Sequence, residues 1–512
     1  MKKLIMTLLS VCLLLTMFGG CSFGSNTTTK NLFHEGLALI QIGDQYGYVN
    51  KKGELVVNLQ FSAARDFADN GLACVKTDAL WGYIGKDGVY AINPRFEEAG
   101  DFASNGLAAV KLNGKWGYID KTGLFVIAQQ FEEAKAFAPN GLAAVKLNGR
   151  WGFVKKDGSS AINPQFDAVD DFTDEGVAVV LKGSKYGVID ESGAYVINPQ
   201  YDDMKEFDEN GLARVKKDGK WGLINSKGEV IVEPQFEKIE QFDESGVAVV
   251  KTEGQCGYIN TKGKYVINPQ FDDAEPFGEN DYAFVKVGTK WGVINEKGTY
   301  IVYPNYSNIS EFADNGLAMV QKDGKCGYVN KKGELVIDCQ FDEAYPFAKN
   351  GLAAVETEDS WGYINETGTY VIGAQFEHAD TFADNGLALV LIEGKYGYIN
   401  ESGAVVIDAK YTQAYSFNYN FNQVYNYNFA TYNHGEAVYD EDATVKFDFA
   451  LVLEDGKWGL IDETGSEILP VVYEYKLILP LITSDGYVQV LSNKGTIAIL
   501  NARGHVMTRV VP

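Results

Sequence analysis

The chain has 512 residues, 46% of them hydrophobic and 22% charged, and a formal net charge of −24. That length exceeds what a single hydrophobic core fills, so several packing units are expected. A balance this acidic lacks the basic footprint that phosphate binding needs, which argues against nucleic acid as a partner.

Lys2 and Lys3 precede an apolar run from Leu4 to Phe18, too short for a comfortable membrane span and flanked like a secretory signal. Gly19-Gly20-Cys21 follows, and small residues before a cysteine resemble a bacterial lipobox. The expectation is a lipoprotein signal at 1–20, lipidation at Cys21 and a polar tether at 21–31. No later segment is apolar enough to span a bilayer, so the remainder is expected outside the cytoplasm, held to the membrane by lipid alone. Cys74, Cys256, Cys326 and Cys339 remain beyond the leader, too sparse for a disulfide framework; a Cys326–Cys339 bridge stays open.

From residue 32 to 417 the chain is periodic. An aromatic residue or cysteine followed by glycine recurs every 35 residues, at Tyr46, Trp81, Trp116, Trp151, Tyr186, Trp221, Cys256, Trp291, Cys326, Trp361 and Tyr396. A twelfth copy stands at Trp458, and every tryptophan of the protein occupies this position. A fixed period of this length signals stacked supersecondary units. Within one unit, Leu107 to Leu112 predicts a strand and Asn113-Gly114 a type I′ hairpin turn. Trp116 to Asp120 predicts a second strand, Gly123 a turn, and Leu124 to Ile127 a third strand. Segments such as Asn163-Pro164-Gln165-Phe166 are expected to end that strand, because proline cannot donate to a ladder. Phe131, Ala134 and Phe137 then fall at i, i+3 and i+6, which suits one capping helical turn.

Alternation sends Trp116 and Tyr118 to one face and Gly117 and Ile119 to the other. The Ile119 position is Ile or Val in all twelve copies and is expected in the core; the glycine is expected where another backbone comes close. Trp81, Trp116, Trp151, Trp221, Trp291, Trp361 and Trp458 allow two readings. They are a ladder of exposed ligand platforms, or a second core layer beneath the connector. The tendency of large aromatics to be buried favours the second. Cys256 and Cys326 complicate it, since Trp-to-Cys in a sealed core leaves a cavity costing about 3–5 kcal/mol.

Copies eleven and twelve lie 62 residues apart, so 27 residues are extra. They fall in an Asn/Tyr-rich insertion at 418–448, read either as a contact loop or as a low-complexity surface expansion. Residues 449–512 hold the twelfth copy and a degenerate thirteenth near Ile497 to Gly504, expected to cap the array.

The string Gly-Lys-Trp-Gly-Tyr-Ile-Asp-Lys-Thr-Gly, Gly114 to Gly123, resembles the signature of bacterial WG-repeat (KWG-repeat) proteins. The resemblance implies a repetitive β-rich protein, often secreted or surface-associated, with no defined catalytic chemistry. The fold expected is all-β: tandem 35-residue units of about three short antiparallel strands plus a capping turn. Their arrangement is expected to be an extended solenoid or superhelical array, with one or two β-propellers as the alternative.

His34, His378, His434 and His505 show no metal-ligand spacing, and no nucleophile elbow or phosphate loop is present. Asp170-Asp171, Asp202-Asp203 and Asp272-Asp273 lack the spaced ligands of a calcium loop. Neither enzyme activity nor a cofactor is expected. The leading expectation is an anchored surface protein that presents a binding face to a protein or cell-envelope partner. Behind it stand a glycan binder using Trp and Tyr platforms and, less favoured, a hydrolase with an unrecognised carboxylate pair.

Overall fold

A computed structural model of the chain describes residues 32–173, 175–278, 281–417, 449–474, 487–492, 495–501 and 506–509. The leader, Cys21 and its expected lipidation, the tether at 21–31 and the insertion at 418–448 lie outside them. Among the described residues every regular element is a strand, gathered into small antiparallel sheets that follow the 35-residue period.

One unit shows how the sheets are built. Ala108–Leu112 and Lys115–Ile119 pair as a hairpin, with Trp116 opposite Lys111 and Tyr118 opposite Ala109. Asn113 and Gly114 both take positive φ, 53° and 72°, as a type I′ turn demands. At the far end of the second strand Asp120 Oδ1 accepts from the backbone N–H groups of Thr122 and Leu124, and Gly123 closes the turn with φ 84°. Phe125–Phe131 then returns as the third strand.

The third strand is longer than its partner allows. Trp116 pairs with Phe131 and Tyr118 with Ile127, so five residues of one strand face three of the other. The surplus bulges across Gly117. A Cβ at Gly117 would lie 2.6 Å from the Ile127 carbonyl oxygen. The same clash recurs in all twelve copies, at 2.4–2.8 Å from backbone atoms of the third strand. The glycine therefore serves close approach, as its place in the sequence indicates. The bulge also corrects the expectation for proline: the third strand runs through Pro94 and Pro164 to Phe96 and Phe166. Proline is tolerated because it sits in a bulge on an edge strand.

The connector differs from the expected helical turn. Glu133–Phe137 is a fourth strand, pairing Glu133 with Lys146, Ala134 with Val145 and Phe137 with Ala143 of the next hairpin. An extra residue between Ala134 and Phe137 makes a bulge. That bulge lets residues three apart point to one side, which pure alternation forbids and which imitates helical spacing in the sequence. The four-stranded sheets thus order as connector, first, second and third strand; the sheet of Ala353–Phe376 keeps only the last three, with the connector reduced to a bridge from Ala344 to Val355. In several copies the connector strand shortens to two residues, as in Ala168–Val169 and His378–Ala379.

The core lies between consecutive sheets. Leu107, Ala109, Tyr118, Ile127 and Phe131 of one sheet pack on Phe137, Ala143, Val145 and Val154 of the next. Ile119 points the other way, into the preceding interface. Both sides of every sheet are therefore apolar, and the Tyr118 and Ile119 positions are fully buried. The Tyr118 ring meets Phe137 at 4.8 Å and its hydroxyl donates to the Lys135 carbonyl at 2.7 Å. Tyr48, Tyr83, Tyr258, Tyr328, Tyr363 and Tyr398 make the same bond 17 residues ahead. A ring pair of this kind contributes about 0.5–1.5 kcal/mol beyond its buried area, so the phenol joins each unit to the next both apolarly and by hydrogen bond.

The two ends meet. Val490, Ala498 and Leu500 of the C-terminal strands pack on Leu451, Trp458, Leu460 and Leu469 of the twelfth unit. Ile499, facing the opposite side, packs on Ala38, Ile40 and Val49 of the first. Ile42 pairs with Gly495, and the Gln41 amide donates to Thr496 Oγ1 at 3.2 Å. The tandem all-β array is as the sequence indicates, but its ends are joined rather than apart. The degenerate thirteenth unit caps the array by bridging last to first.

Two outcomes follow from this packing. Gly117→Ala is expected to lower the urea midpoint with a loss of about 1–3 kcal/mol, the usual range for overpacking; an unchanged midpoint would mean the third strand can withdraw. Ile499→Asp is expected to speed amide exchange in Leu37–Ile42 as well as in the last units, because the first strand loses its cover; acceleration confined to the C-terminal strands would show that the ends do not depend on each other.

Candidate binding surface

Each motif aromatic begins the second strand beside a hairpin, on the face turned to the next unit. Trp81, Trp361 and Trp458 are buried, and Trp116, Trp151, Trp221 and Trp291 are half-buried. Neighbouring side chains cover these rings. Lys76, Lys146, Lys216 and Lys286, each directly across the hairpin, place their ammonium groups 5.2–5.7 Å from the ring centres of Trp81, Trp151, Trp221 and Trp291. Arg65 and Lys205 add a second cation over Trp81 and Trp221. Trp361 is stacked on Tyr345 at 5.2 Å, with His378 at its edge. The tryptophans stand at one level along the array, as the spacing requires, yet none is exposed.

The four cysteines are free thiols. Cys326 joins the interface with the following sheet and Cys339 the one with the preceding sheet, so they lie on opposite faces and no bridge links them. Burial pushes the Cys74 thiol up to about 12, away from reactive thiolate character. A hollow of about 70 Å³ lies beside Cys256, between Val249, Ala274 and the charged side chains of Lys238, Glu240, Lys251 and Asp273.

Much of the acidity has local work. Glu97, Glu132, Asp167, Asp202, Glu237, Asp272, Asp342 and Glu377, each directly after the third strand, accept a backbone N–H from the adjacent hairpin turn. Arg150, Lys185, Lys220 and Lys325, each just before the motif residue, pair with the same carboxylates. The sequence signal for this role is the fixed interval from the acid to the following turn.

Asp170 and Asp171 are partly buried on one connector. Lys135 Nζ lies 3.7 Å from Asp171 and donates to the Val169 carbonyl at 3.1 Å. Burial raises both carboxyls above the usual range, opposed by Lys135, while the Asp171 charge raises Asp170 further. Among the described residues no cluster of three or more His, Cys, Asp or Glu is arranged to hold a metal ion.

A surface feature escaped the sequence reading. The first two residues of the third strand are exposed and apolar in several sheets: Leu55 and Val56, Tyr265 and Val266, Leu335 and Val336, Tyr370 and Val371, Val405 and Val406, all 40–50% exposed. Leu124, Val126 and Val230 extend the row. The third strand is the edge of each of these sheets. Strand propensity alone gave no reason to expect two consecutive apolar residues in solvent; the edge position and the bulge put both outside the interface.

The family model for the WG containing repeat matches twelve segments, in succession from residues 46–81 to 396–425 and again at 458–493. No curated protein matches the chain by sequence. Among solved structures, the extracellular domain of a one component system from B. thetaiotaomicron is 8% identical, covering 95% of this chain and 84% of that one, with a TM-score of 0.26. A eukaryotic initiation factor is 10% identical, covering 65% and 94%, with a TM-score of 0.26. The tricorn protease is 11% identical, covering 90% and 61%, with a TM-score of 0.24. These likenesses are too distant to bear on function.

The raised carboxyls set a pH response. The native state binds more protons than the unfolded chain between the ordinary aspartate pKa and the raised native values, so this pair makes stability fall as pH rises through that window and adds no slope above it. Asp170→Asn is expected to flatten the fall that begins above about pH 4 in urea midpoints; an unaltered slope would place the proton uptake elsewhere.

Proposed function

We propose, from the premise that the chain belongs to the family of proteins built of WG-containing repeats, that it is a non-enzymatic, lipid-anchored extracytoplasmic scaffold whose edge strands bind a protein partner of the cell envelope. The observation that carries this reading is the recurrence of paired exposed apolar residues at the same two edge positions, from Leu55-Val56 to Val405-Val406. A row of such pairs on an otherwise charged surface is the composition expected of an interaction site. Apart from Tyr265 and Tyr370 the row is aliphatic, which suits the apolar side chains of a protein better than a glycan, for which a run of aromatic faces would be needed. The bulges and prolines of the third strand oppose simple edge-to-edge aggregation, so a partner would dock on side chains rather than extend the sheet.

Anchoring rests on the leader and Cys21. The lipidated N-terminus, followed by the polar tether to residue 31, would hold the array at the outer face of a membrane.

Both halves of the proposal are open to one fractionation experiment in a bacterial host. The full chain is expected in the membrane fraction and to retain envelope protein after crosslinking. Cys21→Ser is expected to move it to the soluble extracytoplasmic fraction. Leu335→Glu with Val336→Glu is expected to keep the anchor and lose at least half of the crosslinked partner. Membrane retention by Cys21→Ser would reject the lipid anchor, and undiminished crosslinking by the double variant would reject the edge row as the binding face.

A further inference from the structure

We propose that Asn113 and Asn148 are sites of self-catalysed modification, at which the side-chain amide is converted to aspartate and isoaspartate through a cyclic imide with the following glycine. The Glu97 and Glu132 carboxylates take the proton that this ring closure releases. Nine Asn-Gly pairs occur in the chain, and a glycine after asparagine leaves its main-chain nitrogen unhindered for attack on the amide carbon. The fold sorts these pairs into two surroundings.

Seven, such as Asn105-Gly106 and Asn350-Gly351, lie in the loop that enters a first strand. There the glycine N–H donates to a main-chain carbonyl, Gly106 to Ala103 at 2.8 Å and Gly351 to Ala348 at 2.9 Å. A carbonyl oxygen is too weak a base to remove an amide proton. The asparagine itself is held: its Oδ1 accepts from the N–H of Leu107 or Leu352, and its Nδ2 is buried. Solvent is thereby kept from the nitrogen that would have to leave.

Asn113-Gly114 and Asn148-Gly149 are instead the hairpin turns of consecutive units, and all four residues are exposed. Here the glycine N–H donates to a carboxylate. Gly114 N lies 3.1 Å from both Glu97 oxygens, and Gly149 N lies 2.8 Å from Glu132 Oε2. An ionised carboxylate only accepts, so a base already sits on the proton of the attacking atom. Attack also needs rotation about the asparagine main chain, which an exposed hairpin tip permits more readily than a held loop.

The reaction balances as hydrolysis of the amide. Gly114 N bonds to Asn113 Cγ as its proton passes to Glu97. The side-chain nitrogen takes that proton, its bond to Cγ breaks, and ammonia leaves. Solvent water then opens the imide. Cleavage at Cγ restores the main chain and gives aspartate; cleavage at the main-chain carbonyl gives isoaspartate. Asn148, Gly149 and Glu132 repeat the same steps. The aspartate product fits the turn, since Asp218, Asp323 and Asp455 hold this position with φ of 49–51°. Isoaspartate adds a carbon to a two-residue turn and breaks its I′ geometry.

The test is peptide mapping by mass spectrometry of the full chain, incubated at neutral pH in heavy-oxygen water, which labels each hydrolysed amide. Label uptake at Asn113 and Asn148 is expected to be about tenfold or more faster than at Asn105 and Asn350. Glu97→Gln keeps a hydrogen-bond acceptor for the turn but removes the base. It is expected to slow uptake at Asn113 about tenfold or more and to leave Asn148 unchanged; Glu132→Gln is expected to do the reverse. The unaffected site in each variant, with a thermal melt, reports that the fold survives. Uptake at Asn113 and Asn148 no faster than in the loops would overturn the modification sites. Unchanged or faster uptake at Asn113 in Glu97→Gln would overturn the carboxylate as base and make it a clamp that protects the turn.

Discussion

The close passage of two backbones at the glycine of each motif governs the rest of the molecule. The third strand carries surplus residues that have to go somewhere, and they go across the one position of the second strand that has no Cβ. The bulge that results turns the third strand so that Ile127 and Phe131 reach the same interface as Tyr118. It also leaves the first residues of that strand at an exposed edge. Without the close approach the sheet would keep its alternation, and the apolar residues of the third strand would be divided between core and solvent. The glycine is fixed by space rather than by conformation, since its φ is not in the left-handed region, unlike Gly123.

On this frame the interfaces are built from a few repeated contacts of different kinds. A buried tyrosine supplies apolar area and one hydrogen bond to the next connector, a short range of contact that makes each unit dependent on its neighbour. Carboxylates after the third strand satisfy hairpin amides, and Asp or Asn side chains satisfy the turn beyond the second strand. Part of the negative charge is thus tied to backbone donors at the ends of sheets. The end units would present open apolar faces, and the array resolves this by letting the C-terminal strands cover the twelfth unit with one side and the first with the other.

Variation is confined to positions that the frame tolerates. The motif aromatic becomes tyrosine at Tyr46, Tyr186 and Tyr396 and cysteine at Cys256 and Cys326, and the residue across the hairpin changes with it, to Gln41, Leu181 and Leu391 for the tyrosines and Gln321 for Cys326. Changes at this level, and in the apolar pairs at the edge, are where one unit becomes chemically different from the next while the packing is kept.

The sequence alone determined the period, the I′ hairpin at Asn113-Gly114, the turn at Gly123, the burial of Ile119 and the need for space at Gly117, because each depends on short-range geometry that a few adjacent residues dictate. The connector was misread as a helical turn because a bulge between Ala134 and Phe137 places residues three apart on one side, and spacing cannot distinguish that from a helix. Burial of the tryptophans was legible as a preference, but the lysines that cover them come from the opposite hairpin strand and the connector. Only tertiary structure decided that the edge pairs face solvent, that Cys326 and Cys339 point apart, and that the two ends join. Those outcomes depend on which sheet faces lie against each other, and residues hundreds of positions apart, such as Ala38 and Ile499, carry no mark in the local pattern of where they will meet.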